Sequence, residues 1–241
     1  MKIALLGYGK MGKAIEAEAT KRGHEVVLTI DNGDDWEQKG DLMKNCDIAI
    51  DFSMPSTAVE NIYRCFAIGL PVVVGTTGWY DQIDQVVADC RKQDQSLFVA
   101  SNFSIGMNIV FAMNRRLAEL MGRRDEYRVS ITETHHIHKL DAPSGTAITL
   151  ANDIAGRSKR YGKWVLANTT EPDEGDIPVT SVREGEVPGI HEIVYDSEMD
   201  TIRLSHSAKS RKGLAVGAVL AAEFLLGKKG YYTMDNLIAQ L

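Results

Sequence analysis

Apolar and polar positions alternate in blocks through the first hundred residues. Short apolar runs predict buried strands, and the longer mixed stretches between them predict helices. Strands that alternate with helices predict an α/β fold with a parallel, doubly wound sheet. The predicted strands cover residues 2–6, 25–30, 47–51, 71–74 and 97–100.

The pattern changes after residue 104. A helical stretch begins at Gly106, and residues 127–134 alternate as a half-buried strand does. A helix at 144–157 follows, and then come strand-like runs without intervening helices at residues 180–183, 190–195 and 201–206. These runs predict an antiparallel or mixed sheet in a second, α+β domain.

The apolar stretch at residues 213–226 predicts a helix that is too hydrophobic to lie exposed. We expect it to pack back on the first domain. The predicted domains are therefore 1–104, completed by 213–241, and 105–212.

Composition and charge argue against several classes of protein. The formal net charge of −6 argues against a nucleic-acid partner. The apolar run after Lys2 is too short for a signal peptide, and no run reaches the ~18 apolar residues of a membrane span. The three cysteines (Cys46, Cys65 and Cys90) are widely spaced, which suits packing roles in a reducing cytosol.

A glycine motif follows the first predicted strand. Gly7, Gly9 and Gly12 have the spacing G-x-G-x-x-G, and Asp31 ends the second strand. The first glycine permits a tight turn, the second permits close approach of a pyrophosphate, and the third permits close packing of helix on strand. An acidic residue at the position of Asp31 can bind the adenosine ribose. The first domain is therefore predicted to be a Rossmann-type dinucleotide-binding domain, although a plain βαβ turn has the same glycines.

Three histidines and a lysine cluster after the strand at 127–134. His135, His136, His138 and Lys139 are followed by a Pro-Ser-Gly-Thr helix start, whose N–H groups can bind an anion. A metal site that includes Glu133 and a polar surface loop are alternatives, but His24, His191 and His206 look scattered. Proton transfer on a small anionic substrate explains most of the cluster.

Residues 133–146 resemble the signature E-x-H-H-x-H-K-x-D-x-P-S-G-T of the 4-hydroxy-tetrahydrodipicolinate reductase family. G-Y-G-K-M-G, G-T-T-G, S-N-F-S-I-G-M-N and R-E-G-E-V-P-G-I-H-E follow the family's order along the chain. The resemblance implies reduction of a cyclic imine dicarboxylate by NADH or NADPH in lysine and diaminopimelate biosynthesis. It also implies a cytoplasmic homotetramer whose second domain binds substrate and forms the subunit contacts.

The resemblance assigns roles to particular residues. His135 and Lys139 would handle protons, and His136, Gly145 and Thr146 would bind the substrate carboxylates. The residues that it assigns to the dinucleotide are Gly7, Tyr8, Gly9, Lys10, Met11, Gly12, Asp31, Gly75, Thr76, Thr77, Ala100, Ser101, Asn102 and Phe103.

The residues near the end of the second predicted strand bear on the choice between NADH and NADPH. Asp31 followed by Asn32 favours the ribose of NADH, whereas Lys10 could reach a 2′-phosphate, so we expect dual use that leans to NADH. Another two-domain nicotinamide dehydrogenase and a non-catalytic redox sensor are the rival functions.

Overall fold

A computed structural model describes residues 1–240. The chain forms two compact units, one from residues 1–105 and 212–241 and the other from residues 106–211. The strands are β1 Lys2–Leu6, β2 Glu25–Ile30, β3 Ile48–Asp51, β4 Val72–Val74, β5 Ser96–Val99, β6 Arg128–His135, β7 Lys163–Leu166, β8 Asp176–Arg183, β9 Ile190–Asp196, β10 Thr201–Ser207 and β11 Gly230–Tyr232. The helices are α1 Lys10–Lys21, α2 Gly33–Lys39, α3 Pro55–Ala67, α4 Ile83–Lys92, α5 Ile105–Met121, α6 Gly145–Ala155, α7 Lys212–Leu225 and α8 Met234–Ile238.

The first unit is built on a six-stranded sheet in the order β11-β5-β4-β3-β1-β2. Every strand pair in this sheet is parallel. One face packs against α1 and α7 around Phe98 and Phe103, and the other packs against α3 and α4 around Phe66 and Trp79. The doubly wound parallel sheet is confirmed, and α7 lies within the first unit's core.

Several short elements were not expected from the sequence. They are α2, β7, β11 and α8, and strand β8 begins at Asp176 rather than at residue 180. Strand β11 has three residues and gains its hydrogen bonds by pairing with β5 far earlier in the chain, which leaves little local pattern. By contrast, α2 carries a local signal, since the Asn32 side chain caps it by accepting from the Asp35 N–H at 3.0 Å.

The second unit is built on a five-stranded mixed sheet in the order β10-β9-β6-β8-β7. Strand β6 pairs with β8 in parallel and with β9 antiparallel, so the mixed sheet is confirmed. Its inward positions change from apolar to polar along the strand: Val129 and Ile131 lie in a core with α5 and α6, whereas Glu133 and His135 are buried near its carboxyl end. Function is therefore expected where β6 ends.

In the part of the chain that the structure describes, no helix combines the length and the apolar character needed to span a membrane. The three cysteines are free thiols. Cys65 and Cys90 are buried in the first unit's core, and burial raises the pKa of Cys90 to about 11. These two thiols pack as apolar side chains.

Candidate active site

Two glycines of the turn after β1 are required by close packing, whereas the third lies beside open space. Gly7 has φ +89°, and a Cβ there would lie 2.4 Å from the Phe52 carbonyl oxygen. A Cβ at Gly12 would lie 2.4 Å from the Gly7 carbonyl oxygen, so α1 must approach the turn closely. A Cβ at Gly9 would meet no heavy atom of residues 1–240 within 4 Å. The backbone is therefore bare at Gly9, as a pyrophosphate would require.

A cavity of about 530 Å³ adjoins this turn within the first unit. Asp31 stands at its edge, and one oxygen of its carboxylate accepts from the Tyr8 N–H at 2.7 Å. This bond ties the end of β2 to the glycine turn. The cavity lining includes Gly7, Gly9, Asp31, Trp36, Ser53 and Arg64. Its size and its glycine turn suit one end of a dinucleotide.

The side chains of two predicted cofactor residues, Thr76 and Phe103, make contacts within the protein. Thr76 is buried and its hydroxyl donates to Asp51 at 2.5 Å, while burial raises the pKa of Asp51. The Phe103 side chain is 1% exposed in the core, and a Cβ at Gly217 would lie 1.7 Å from its carbonyl oxygen. Only backbone atoms of Phe103 could meet a ligand.

The other predicted cofactor residues lie at one edge of the sheet. Strands β1, β4 and β5 are parallel, so the loops that follow them lie along the same edge. Lys10 is exposed at the start of α1 and does not line the cavity, whereas Arg64 does. The residues on these loops and at the adjoining start of α1 are Tyr8, Lys10, Met11, Gly75, Thr77, Ala100, Ser101 and Asn102.

A buried ion pair lies at the end of β6. The Glu133 side chain is 0% exposed, and its Oε2 lies 2.6 Å from His135 Nδ1. Its Oε1 accepts from Arg183 Nη2 at 2.9 Å and from the Ser144 N–H at 3.2 Å. Burial alone would raise the pKa of Glu133, but the hydrogen bond from His135 and those from its other donors outweigh burial and hold the pKa well below its usual range. Glu133 is therefore an anion at neutral pH.

An ionised carboxylate only accepts hydrogen bonds, so the 2.6 Å contact with Glu133 favours the tautomer of His135 that has its hydrogen on Nδ1. Its other nitrogen, Nε2, remains for proton exchange. A Cβ at Gly189 would lie 3.1 Å from Nε2, so the glycine keeps that side of the ring uncrowded. Glu133 thereby fixes which atom of His135 can move a proton.

The expectation that His191 is remote from the cluster is wrong. In the register of β6 and β9, His191 pairs with Glu133, and its ring centroid lies 5.1 Å from that of His135. Burial, followed by repulsion from His135, lowers the pKa of His191 to about 4. A neutral imidazole therefore packs against His135. Arg183 was likewise missed as a functional side chain, because it arrives from β8 opposite His135.

The metal alternative also changes with this geometry. Ligand atoms of Glu133, His135 and His191 lie within 4.8 Å of one another, a set different from the one considered in the sequence. However, one Glu133 oxygen already accepts from the cation of Arg183, and the other lies 2.6 Å from His135 Nδ1. That arrangement fits proton transfer better than metal binding.

The remaining candidates lie on the loop after β6 and at the start of α6. Lys139 Nζ contacts Asp141 Oδ1 at 2.7 Å, and its charge helps to lower the pKa of His191. His136 is half-buried, whereas exposed His138 forms a surface pair with Glu186 at 3.1 Å.

Ser144 caps α6 by accepting from the Ala147 N–H at 3.2 Å. Gly145 and Thr146 are the first two residues of that helix. A helix start favours negative charge, so this position suits a substrate carboxylate.

Known proteins resemble the chain over its whole length. The family described as "Dihydrodipicolinate reductase, N-terminus" matches residues 1–103, and "Dihydrodipicolinate reductase, C-terminus" matches residues 106–238. A 4-hydroxy-tetrahydrodipicolinate reductase of Christiangramia forsetii is 45% identical, covering 100% of this chain and 99% of its own. One from Staphylococcus aureus is 34% identical, covering 98% and 100%.

A solved structure supports the same fold. A dipicolinate-bound dihydrodipicolinate reductase from Paenisporosarcina sp. TG-14 superposes with a TM-score of 0.82, at 24% identity and 98% coverage of both chains. Both relatives are 4-hydroxy-tetrahydrodipicolinate reductases. The family matches and these full-length relatives together confirm the resemblance drawn from the histidine signature: this chain belongs to the dihydrodipicolinate reductase family.

Proposed function

We propose that this protein reduces 4-hydroxy-tetrahydrodipicolinate to tetrahydrodipicolinate with NADH or NADPH, in the diaminopimelate route to lysine. The observation that carries the proposal is the buried Glu133–His135 pair, which leaves one defined nitrogen for proton exchange. The family supports the substrate, a small cyclic dicarboxylate.

The first unit would hold the dinucleotide. Gly9 offers bare backbone to the pyrophosphate, and Asp31 offers a carboxylate oxygen to the ribose. Bound there, the dinucleotide supplies the hydride. The acid at Asp31 supports dual use that leans to NADH.

The second unit would bind and protonate the substrate. Gly145 and Thr146 offer the start of α6 to one carboxylate, and His136 offers an imidazole to the other. Lys139 neutralises the dianion and supplies the proton with which the 4-hydroxyl leaves as water. His135 exchanges its proton at Nε2, since Nδ1 is held by Glu133.

The site favours this reaction over the rival functions. A redox sensor would have no use for a buried carboxylate that orients a histidine, and the family supports an enzyme. We also propose that the protein is a homotetramer in the cytoplasm. Light scattering on the purified protein would check the number of subunits.

The test is Lys139→Ala. Losing a general acid typically slows catalysis about 10²–10⁴-fold. Oxidation of the dinucleotide would be followed with substrate formed from pyruvate and aspartate semialdehyde. We expect kcat to fall by that factor while dinucleotide affinity stays within about twofold, because Lys139 belongs to the second unit. An unchanged kcat contradicts its role, and absence of turnover in the parent protein contradicts the function.

A further inference from the structure

Helix α3 contributes both an anion and a cation to the first unit's cavity. Glu60 and Arg64 lie one turn apart and line the same cavity as Asp31. Arg64 Nη2 donates to Glu60 Oε1 at 2.6 Å. The guanidinium is thus already paired with a carboxylate.

An aromatic ring holds the same guanidinium from a second side. The Cζ atom of Arg64 lies 4.3 Å from the centroid of the Trp36 ring, which is a cation–π geometry. Trp36 lines the cavity too, and its helix α2 begins just after Asp31 and Asn32. Arg64 is therefore positioned close to the residues proposed to meet the adenosine ribose.

The charge balance of the cavity bears on which dinucleotide it admits. Among the described residues that line it, the charged side chains are Asp31, Glu60 and Arg64, two anions and one cation. A 2′-phosphate brings a charge of about −1.5 to −2 at pH 7, by comparison with other phosphate monoesters. The hydroxyls of an unmodified ribose bring none. The net negative charge of the cavity lining therefore disfavours binding of the 2′-phosphate, whereas the Arg64 guanidinium favours it.

We propose that Glu60 sets the cofactor selectivity of this protein by holding Arg64 in an ion pair. With Glu60 in place, the cavity prefers NADH, and without it Arg64 turns to the 2′-phosphate of NADPH. This selectivity rests on the proposed function of the cavity as the dinucleotide site.

The experiment is calorimetric titration of NADH and NADPH into the full chain without substrate, at low and high salt. The variants are Glu60→Gln, Arg64→Gln and the double variant. Exposed ion pairs are worth up to about 1 kcal/mol, so we expect Glu60→Gln to tighten NADPH about three- to fivefold and to leave NADH within about twofold. The gain should disappear in the Arg64→Gln background and shrink at high salt.

A matched control has the same charge change outside the cavity. Glu37 lies on α2 with an exposed side chain, so Glu37→Gln should leave both affinities unchanged. The proposal is overturned if Glu60→Gln leaves the NADPH-to-NADH affinity ratio unchanged, if Glu37→Gln matches its gain, or if the gain survives without Arg64. Failure of the parent protein to bind either dinucleotide would instead overturn the proposed function of the cavity.

Discussion

The candidate sites of the two units are built in different ways. In the first unit, a bare backbone at Gly9 and exposed loop residues surround an open cavity. In the second, a fully buried carboxylate, a guanidinium and two imidazoles from three strands hold one another in place. The first site depends on the absence of a side chain at Gly9, and the second depends on side chains that strand pairing brings together. Substitutions should therefore harm them differently.

The largest effect is expected from Glu133→Gln. The amide cannot supply the charge that holds His135 and Arg183, so the tautomer of His135 is no longer fixed. We expect kcat to fall about 10²–10³-fold and the free energy of unfolding to fall by about 3 kcal/mol, because a charge is left unpaired.

Steady-state rates across pH and urea unfolding would measure both effects. A positioning role requires the pH profile of kcat to change, since a purely structural residue would lower activity without moving it. A profile unchanged in shape would contradict the role of Glu133.

In the first unit the largest effect should come from Gly7→Ala. The added Cβ meets backbone at Phe52, and φ is +89°, so the turn itself must shift. We expect a loss of about 2–4 kcal/mol in the free energy of unfolding, measured by urea denaturation. A loss below about 0.5 kcal/mol would show that the turn is not constrained as described.

Histidine 191 allows a test by pH. Its pKa is lowered to about 4 from 6.5, so the unfolded chain binds a proton between these values while the folded chain does not. Stability should therefore fall as pH drops from 6.5 towards 4, by about 3 kcal/mol in total.

His191 Nε2 lies 3.2 Å from the Ser144 hydroxyl oxygen. A glutamine at this position can still bond Ser144 but does not titrate, so we expect His191→Gln to flatten this window of the stability curve. Glu133, whose pKa is lowered, loses its contribution only at more acidic pH, below about its unfolded value of 4.5. Urea unfolding at pH 4.5, 5.5 and 7 separates the two. An equally steep loss in the variant would contradict the burial of a neutral His191.

The smallest effect on stability should come from Gly9→Ala, the matched partner of Gly7→Ala. Its Cβ enters open space, so unfolding should change by less than about 0.5 kcal/mol. Dinucleotide affinity should nevertheless fall about tenfold, because the methyl group stands where the pyrophosphate approaches. Calorimetry would show it, and unaltered affinity would remove Gly9 from the site.

The contrast also explains what could be predicted from the sequence. The glycine turn, Asp31 and the Ser144 cap are local patterns, and each lies in the structure as a local pattern dictates. His191 and Arg183 reach β6 through strand register, which no spacing along the chain reveals. Arg64 and Trp36 meet through the packing of α3 and α2 in the same way. Local backbone geometry can therefore be predicted from the sequence, whereas side-chain contacts between separate elements cannot.

The place of β11 and α7 in the first unit bears on the order in which the protein matures on the ribosome. Helix α7 supplies much of one face of the core, and β11 pairs with β5 in the sheet, yet both are translated after residues 106–211. Residues 106–211 form a continuous stretch and can complete their own core while the earlier residues still lack theirs. The first unit is thus expected to finish folding second, with its apolar sheet face in need of protection until α7 and β11 have been synthesised.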